Sequence, residues 1–123
     1  MLIDTQIFIW WMEKNNRLSA KIKFILEDPQ EQIFLSLVSI WEIVIKKSIK
    51  KLKTPADVEG GIEKSGLEVM PIDLSHVLHL EYLPLHHKDP FDRLLISQAQ
   101  VEKVTIITAD PLFRRYDVKT LIS

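Results

Sequence analysis

The sequence predicts an α/β protein in which helices cover both faces of a parallel sheet. Two observations predict it. Strand-like runs recur at Leu2-Ile3, Ile33-Phe34-Leu35, Leu67 to Ile72, Val104 to Thr108 and Val118 to Ile122, with helical stretches between them. The resulting order, β-α-α-β-α-α-β-α-α-β-α-β, supplies the crossovers that parallel pairing needs. The run Ile33-Phe34-Leu35 is also continuous rather than alternating, as a strand buried on both faces reads.

Composition sets the limits. The chain has 123 residues, 46% of them apolar and 27% charged, which fits one globular domain over residues 1–123 with a real core. The absence of cysteine excludes disulfides, thiolate metal sites and cysteine nucleophiles. Met1-Leu2-Ile3-Asp4 lacks the basic start of a signal peptide, and no apolar run approaches membrane-spanning length, so a cytoplasmic protein with no membrane partner is expected. A net charge of −1 argues against a generally basic nucleic-acid coat and leaves only a local basic patch for such contacts.

Leu2-Ile3 starts the first strand and Asp4-Thr5 closes it. The helix from Gln6 to Glu13 is apolar nearly all round, through Ile7, Phe8, Trp10 and Trp11, which implies burial in the core and in a subunit interface. Lys14 to Arg17 is a loop. Ser19 caps a second helix over about residues 20–27, and Asp28-Pro29 ends it. After the second strand, Ser39-Ile40-Trp41-Glu42 fits the capping box S-x-x-E. The helix it opens has an apolar stripe of Trp41, Val44, Ile45, Ser48, Ile49 and Leu52. Its other face holds Lys46, Lys47, Lys50 and Lys51, with Lys53 beyond, either a solvated face or a phosphate-contacting patch. Thr54-Pro55 caps a helix to about residue 65, which Gly66 ends.

Asp73 to Leu80 is predicted helical, with His76 and His79 on one side. No third ligand stands near them, so they read as ordinary surface or core histidines, and His86-His87 as loop. The chain then turns abruptly from loop to helix. Asp89 is the N-cap, Pro90 takes the first helical position, and Asp92 falls three residues past the cap. Phe91, Leu94, Leu95 and Ala99 make the buried stripe of a helix over about residues 90–103. Ala109-Asp110-Pro111 is a second acid-then-proline start, opening a short helix from Leu112 to Arg115.

Ligands of an open parallel sheet bind at the carboxyl ends of its strands. Asp4, Glu42 and Asp110 each follow a strand and belong to that edge. Asp92 precedes a strand, and by this rule reaches the edge only if the loop Leu83–Lys88 carries its helix start back over it. Capping alone explains an acid at each place, but Ser, Thr or Asn would cap equally well without mutual repulsion. Clustered carboxylates raise one another's pKa, and a hard divalent cation with oxygen ligands removes that cost. Caps and an acidic metal site are thus the two readings.

Three blocks resemble the PIN-domain ribonucleases, in particular the VapC toxins of toxin–antitoxin pairs: Leu2-Ile3-Asp4-Thr5; Ser36-Leu37-Val38-Ser39-Ile40-Trp41-Glu42-Ile43-Val44-Ile45-Lys46; and His87-Lys88-Asp89-Pro90-Phe91-Asp92-Arg93-Leu94-Leu95-Ile96-Ser97-Gln98-Ala99. Thr108-Ala109-Asp110 adds a short final motif. The resemblance implies a three-layer α/β/α fold with a five-stranded parallel sheet. It implies an acidic pocket of Asp4, Glu42, Asp92 and Asp110, with that helix start facing it, and Mg²⁺ or Mn²⁺ as cofactor. Asp89 matches a frequent family residue outside the usual catalytic four and stays a cap.

The activity so implied is metal-assisted hydrolysis of RNA phosphodiester bonds. Thr5, Ser39 and Thr108 would hydrogen-bond the carboxylates or substrate. Lys46 and Arg93 would contact phosphate or pair with the acids. The implied partners are RNA, a cognate antitoxin and a second copy of the chain. The rivals are a catalytically silent PIN-like binding module, which would have lost an acid, and a phosphoacceptor signalling domain, which needs paired acids where Asp4 stands alone. A phosphatase of the Asp-x-Asp kind is disfavoured by Gln6.

Overall fold

The computed structural model describes residues 1–49 and 57–123. The elements follow the expected order: β1 (Leu2–Ile3), α1 (Thr5–Glu13), α2 (Ala20–Glu27), β2 (Phe34–Ser36), α3 (Leu37–Ser48), α4 (Val58–Ser65), β3 (Glu68–Met70), α5 (Leu74–His79), α6 (Pro90–Glu102), β4 (Ile106–Thr108) and β5 (Thr120–Ile122). Short 3₁₀ turns occupy Leu80–Tyr82 and Pro111–Arg115. The five strands form a wholly parallel sheet in the order β3-β2-β1-β4-β5. The parallel α/β architecture expected from the sequence is the one observed.

Register explains the layers. Leu2 pairs with Phe34 and Ile106, and Ile3 with Leu35 and Ile107. Successive side chains on a strand point to opposite faces. Leu2 and Ile106 therefore meet Leu94, Leu95, Ile96 and Ala99 of α6 on one side. Ile3, Leu35 and Ile107 meet Ile7, Phe8 and Ile9 of α1 and Ile22 and Leu26 of α2 on the other. Each fully buried Leu or Ile contributes about 1.5–3 kcal/mol, so these two apolar layers, rather than the very short strands, hold the sheet together.

Several elements differ from expectation for physical reasons. Phe8 is buried in the core, and Trp10 and Trp11 pack against it while staying partly exposed. Ser36, not Ser39, caps α3: its hydroxyl accepts from Val38 N at 3.0 Å, which leaves Ser39 inside the first turn and buried. The buried face of α3 is Val38, Ser39, Glu42 and Ile43. The apolar stripe read from the sequence is real and faces outward, with Trp41, Val44 and Ile49 each about half exposed. The helix is turned this way because Glu42 is bonded inward. Asp57 caps α4, accepting from Gly60 N at 2.8 Å, and Gly66 ends it in the left-handed region at φ 74°. The expected cap Thr54-Pro55 and the residues Lys50, Lys51, Leu52 and Lys53 lie outside the described residues.

The placement of Asp92 follows from helix direction. The 13 residues of α6 span about 20 Å. Only residues 103–105 separate its end from β4, so the helix runs antiparallel to the strand it feeds. Its N-terminus therefore lies at the carboxyl edge of the sheet. The rule that assigned Asp92 to the opposite edge overlooked this reversal.

Candidate active site

Asp4 caps α1, Glu42 sits in the second turn of α3, Asp92 in the first turn of α6, and Asp110 caps the 3₁₀ turn after β4. All of them line one open pocket, together with Thr5, Gln6, Lys46 and Asp89. Elements from both ends of the chain meet there because β1 and β4 are neighbours in the sheet.

The carboxylates are fixed by short bonds. Asp4 Oδ1 accepts from Ile7 N at 2.8 Å and its Oδ2 accepts from the Thr108 hydroxyl. Thr108 Oγ1 in turn accepts from Asp110 N at 3.0 Å, and Asp110 Oδ1 from Leu112 N at 2.9 Å. Thr5 Oγ1 donates to Glu42 Oε1 at 2.7 Å and stands 2.9 Å from Ser39 Oγ. Lys46 bonds the other oxygen of Glu42 from one turn along α3. Thr5, Ser39, Thr108 and Lys46 thus all attach to the acids, directly or through one hydroxyl. Asp89 Oδ1 accepts from Phe91 N and Asp92 N, so it caps α6 while adding its charge to the pocket.

Arg93 does otherwise. Its guanidinium donates to the carbonyls of Pro84 at 3.0 Å and of Leu83 and His87 at 3.4 Å, and it is absent from the pocket lining. The expectation that it contacts phosphate or pairs with the acids gives way to a structural role, holding the loop before α6.

Electrostatics follow from burial first and crowding second. Burial pushes Asp4 up to about 6, against the bonds from Thr108, Ile7 and Ala109 and with a small push from the Asp110 charge. Burial, then the charges of Asp89, Asp4, Glu42 and Asp110, push Asp92 up to about 8. Lys46 is raised: burial alone would lower it, but the bond and charge of Glu42 and the charges of Asp89 and Asp92 outweigh that. Crowding was expected to dominate; the larger cause is that two of these carboxyls have little water.

Among the described residues, the lining of this site gives a negative potential that the Lys46 ammonium does not balance. The donors are carboxylate oxygens, some in a dry setting, which is the chemistry of a hard divalent cation. The residues fit one.

His87 is the residue that sequence reasoning missed. Its Nε2 lies 3.0 Å from Asp92 Oδ2 and 3.1 Å from Asp110 Oδ2, and ligand atoms of these three residues lie within 4.8 Å of one another. The available signal was its place two residues before the N-cap, where Nδ1 can accept from Asp89 N, here at 3.1 Å. A second such group, Asp73, His76 and Glu102, lies elsewhere. The sequence shows no further ligand near His76 and His79, but the fold brings Glu102 to His76, its Oε1 2.8 Å from His76 Nε2, while His79 bonds Gln100. His76 is fully buried and ties α5 to α6.

The chain matches the sequence model of the PIN domain over residues 1–119. No curated protein matched it. Among solved structures it is similar to VapBC2 from Rickettsia felis bound to a promoter DNA fragment, with TM-score 0.73 and 16% identity over 98% of this chain and 96% of that one. It is similar to a toxin–antitoxin complex from Klebsiella pneumoniae, with TM-score 0.67 and 20% identity over 98% and 94%. It is also similar to FitAcB from Neisseria gonorrhoeae, with TM-score 0.68 and 17% identity over 98% and 95%. At these identities the likeness is one of fold.

Proposed function

Because the chain belongs to the PIN-domain family, we propose that it is a metal-dependent endoribonuclease that hydrolyses RNA phosphodiester bonds and serves as the toxin of a toxin–antitoxin pair. The observation that carries this reading is the convergence of Asp4, Glu42, Asp92 and Asp110 on one pocket. In this reading Asp4 and Asp92 hold Mg²⁺ or Mn²⁺ most directly, and Glu42 and Asp110 hold it through water or hold a second ion. Bound there, a hard divalent cation supplies neutralisation of phosphate charge and a more acidic water as nucleophile.

The chain's own residues prepare that chemistry. Thr5 and Thr108, with the backbone N–H groups of Ile7 and Leu112, fix the carboxylates in advance, so little ordering remains to be done on binding. Lys46, partly exposed at the pocket wall, offers its ammonium to a phosphate oxygen. An open acidic cleft with a lysine at its wall suits a single RNA strand.

The similar complexes from Rickettsia felis and Klebsiella pneumoniae support an antitoxin as partner. Leu37, Trp41 and Val44 on α3 and Leu74 and Leu78 on α5 are exposed apolar surface of the kind partners cover. A second copy and, separately, an antitoxin peptide use such surface, the peptide offering Arg or Lys to the acids. Among the described residues no helix is long and apolar enough to cross a membrane.

The test is incubation of the purified protein with a panel of structured RNAs. Cutting is expected with Mg²⁺ or Mn²⁺, not with EDTA, and to fall roughly a hundredfold or more in Asp4→Asn and Asp92→Asn, as loss of several kcal/mol of transition-state stabilisation requires. Unchanged cutting by Asp92→Asn overturns the reading; tight binding without cutting makes the chain a silent binding module.

A further inference from the structure

His87 lies in a built setting. Tyr116 OH accepts from the backbone N–H groups of His86 at 3.1 Å and His87 at 2.7 Å. The Arg93 guanidinium holds the carbonyls on either side of that turn. The imidazole packs edge-on to Phe113, with ring centroids 5.9 Å apart. Its backbone, ring and both nitrogens are therefore engaged at once.

The nitrogens are not equivalent. Asp89 N can only donate, so the Nδ1 it meets at 3.1 Å is an acceptor. A neutral imidazole then carries its proton on Nε2, the atom between Asp92 and Asp110. A metal ligand needs the reverse, a bare Nε2 facing the ion. That would put the proton on Nδ1, directly against the Asp89 N–H.

We propose that His87 is a positioning residue and not a metal ligand: its Nε2–H bridges Asp92 and Asp110 and holds the two carboxylates at one spacing. The inference rests on the reading of those acids as the cation-holding site. Both carboxylates offer Oδ2 to the imidazole. Asp110 Oδ1 is held by Leu112 N, so the pair is oriented before a cation arrives. The buried His76 has the same wiring, with Nδ1 accepting from Asp73 N at 3.0 Å and Nε2 directed at Glu102. Its carboxylate partner Glu102 is not a pocket acid, whereas Asp92 and Asp110 both are, and so His76 separates this wiring as a structural tie from its use at the site.

The test compares the full chain with His87→Gln, which keeps a side-chain N–H donor, and His87→Leu, which has none. Mn²⁺ affinity is read by calorimetry, folding by thermal unfolding, and the imidazole tautomer by ¹⁵N NMR. The Nε2–H tautomer is expected in the wild type, and is expected to persist when diamagnetic Mg²⁺ is added. His87→Gln should bind Mn²⁺ within about threefold of wild type and His87→Leu at least tenfold more weakly, with both variants folded. An Nδ1–H tautomer, or Mn²⁺ binding by folded His87→Leu equal to wild type, overturns the proposal. A His87→Leu protein that fails to fold leaves the decision to the tautomer and to His87→Gln, whose own loss of Mn²⁺ affinity by tenfold or more would also overturn it. If the wild type binds Mn²⁺ and shows this split yet cuts no RNA, the ribonuclease reading fails and the role of His87 stands.

Discussion

Lys46 reaches back one helical turn to the carboxylate of Glu42, and does so at the wall of a pocket that holds four other acidic residues. The pair keeps one acid bonded and puts a resident positive charge where a divalent cation would go. At a few ångströms even well-screened charges interact by about 1 kcal/mol. Lys46→Gln should therefore tighten Mn²⁺ binding by about three- to tenfold while raising KM for RNA. Calorimetry and initial rates check this; weaker Mn²⁺ binding would mean that Lys46 chiefly organises Glu42.

Stability should depend on pH through Asp92. Its folded pKa, about 8, lies above the usual carboxyl value of 3.8. The proton it holds therefore stabilises the fold fully below about pH 4, and that contribution is lost as pH rises through 8. Asp92→Asn keeps a neutral side chain throughout. Its melting temperature in EDTA should match wild type near pH 4 and exceed it by several degrees at pH 8.5. A pH-independent gap would refute this account.

Metal should reverse that order. A ligand stabilises the fold in proportion to its affinity for it. Mg²⁺ at pH 7.5 should raise the melting temperature of wild type by several degrees more than that of Asp92→Asn or Asp110→Asn. Equal shifts in all three proteins would show that these acids act as helix caps alone.

The nucleophile should be water and not the RNA 2′-hydroxyl. Among the described residues one histidine, His87, pairs with the pocket acids, while its neighbour His86 packs on Tyr116 instead, which leaves no histidine pair for internal transfer. An RNA with a single 2′-deoxy residue at the cut site should still be cleaved at a rate within about tenfold of the parent. Persistent binding without cleavage would exclude hydrolysis by water.

The outward stripe of α3 gives a further expectation. Val44 is exposed, so Val44→Lys should change stability by less than about 0.5 kcal/mol. It should shift the chain toward monomer in light scattering, or weaken antitoxin binding. A variant unchanged in both respects would show that this face meets neither partner.

Much of the fold was legible because its punctuation is local. Ser19, Asp89-Pro90, Asp110-Pro111 and Gly66 mark element ends by interactions within a few residues. The orientation of α3 was not, since periodicity finds an apolar stripe without saying which way it faces, and cannot see that Thr5, from another helix, binds Glu42. Arg93 looked like a phosphate contact because of its charge, yet carbonyls of the preceding loop take its donors. His87 was hidden because Asp110, one of its two carboxylate partners, lies 23 residues away. The acids themselves were readable because each also starts a helix, or falls within the first turns of one.

The bond from Thr108 to Asp4 joins residues 104 apart in sequence. A chain still being synthesised has Asp4 and Glu42 long before it has Thr108 or Asp110, and the neighbouring strand β4 comes just as late. The pocket of acids is therefore not assembled until β4 has joined the sheet beside β1, and a chain cut short before residue 108 would lack both Asp110 and the hydroxyl that holds Asp4.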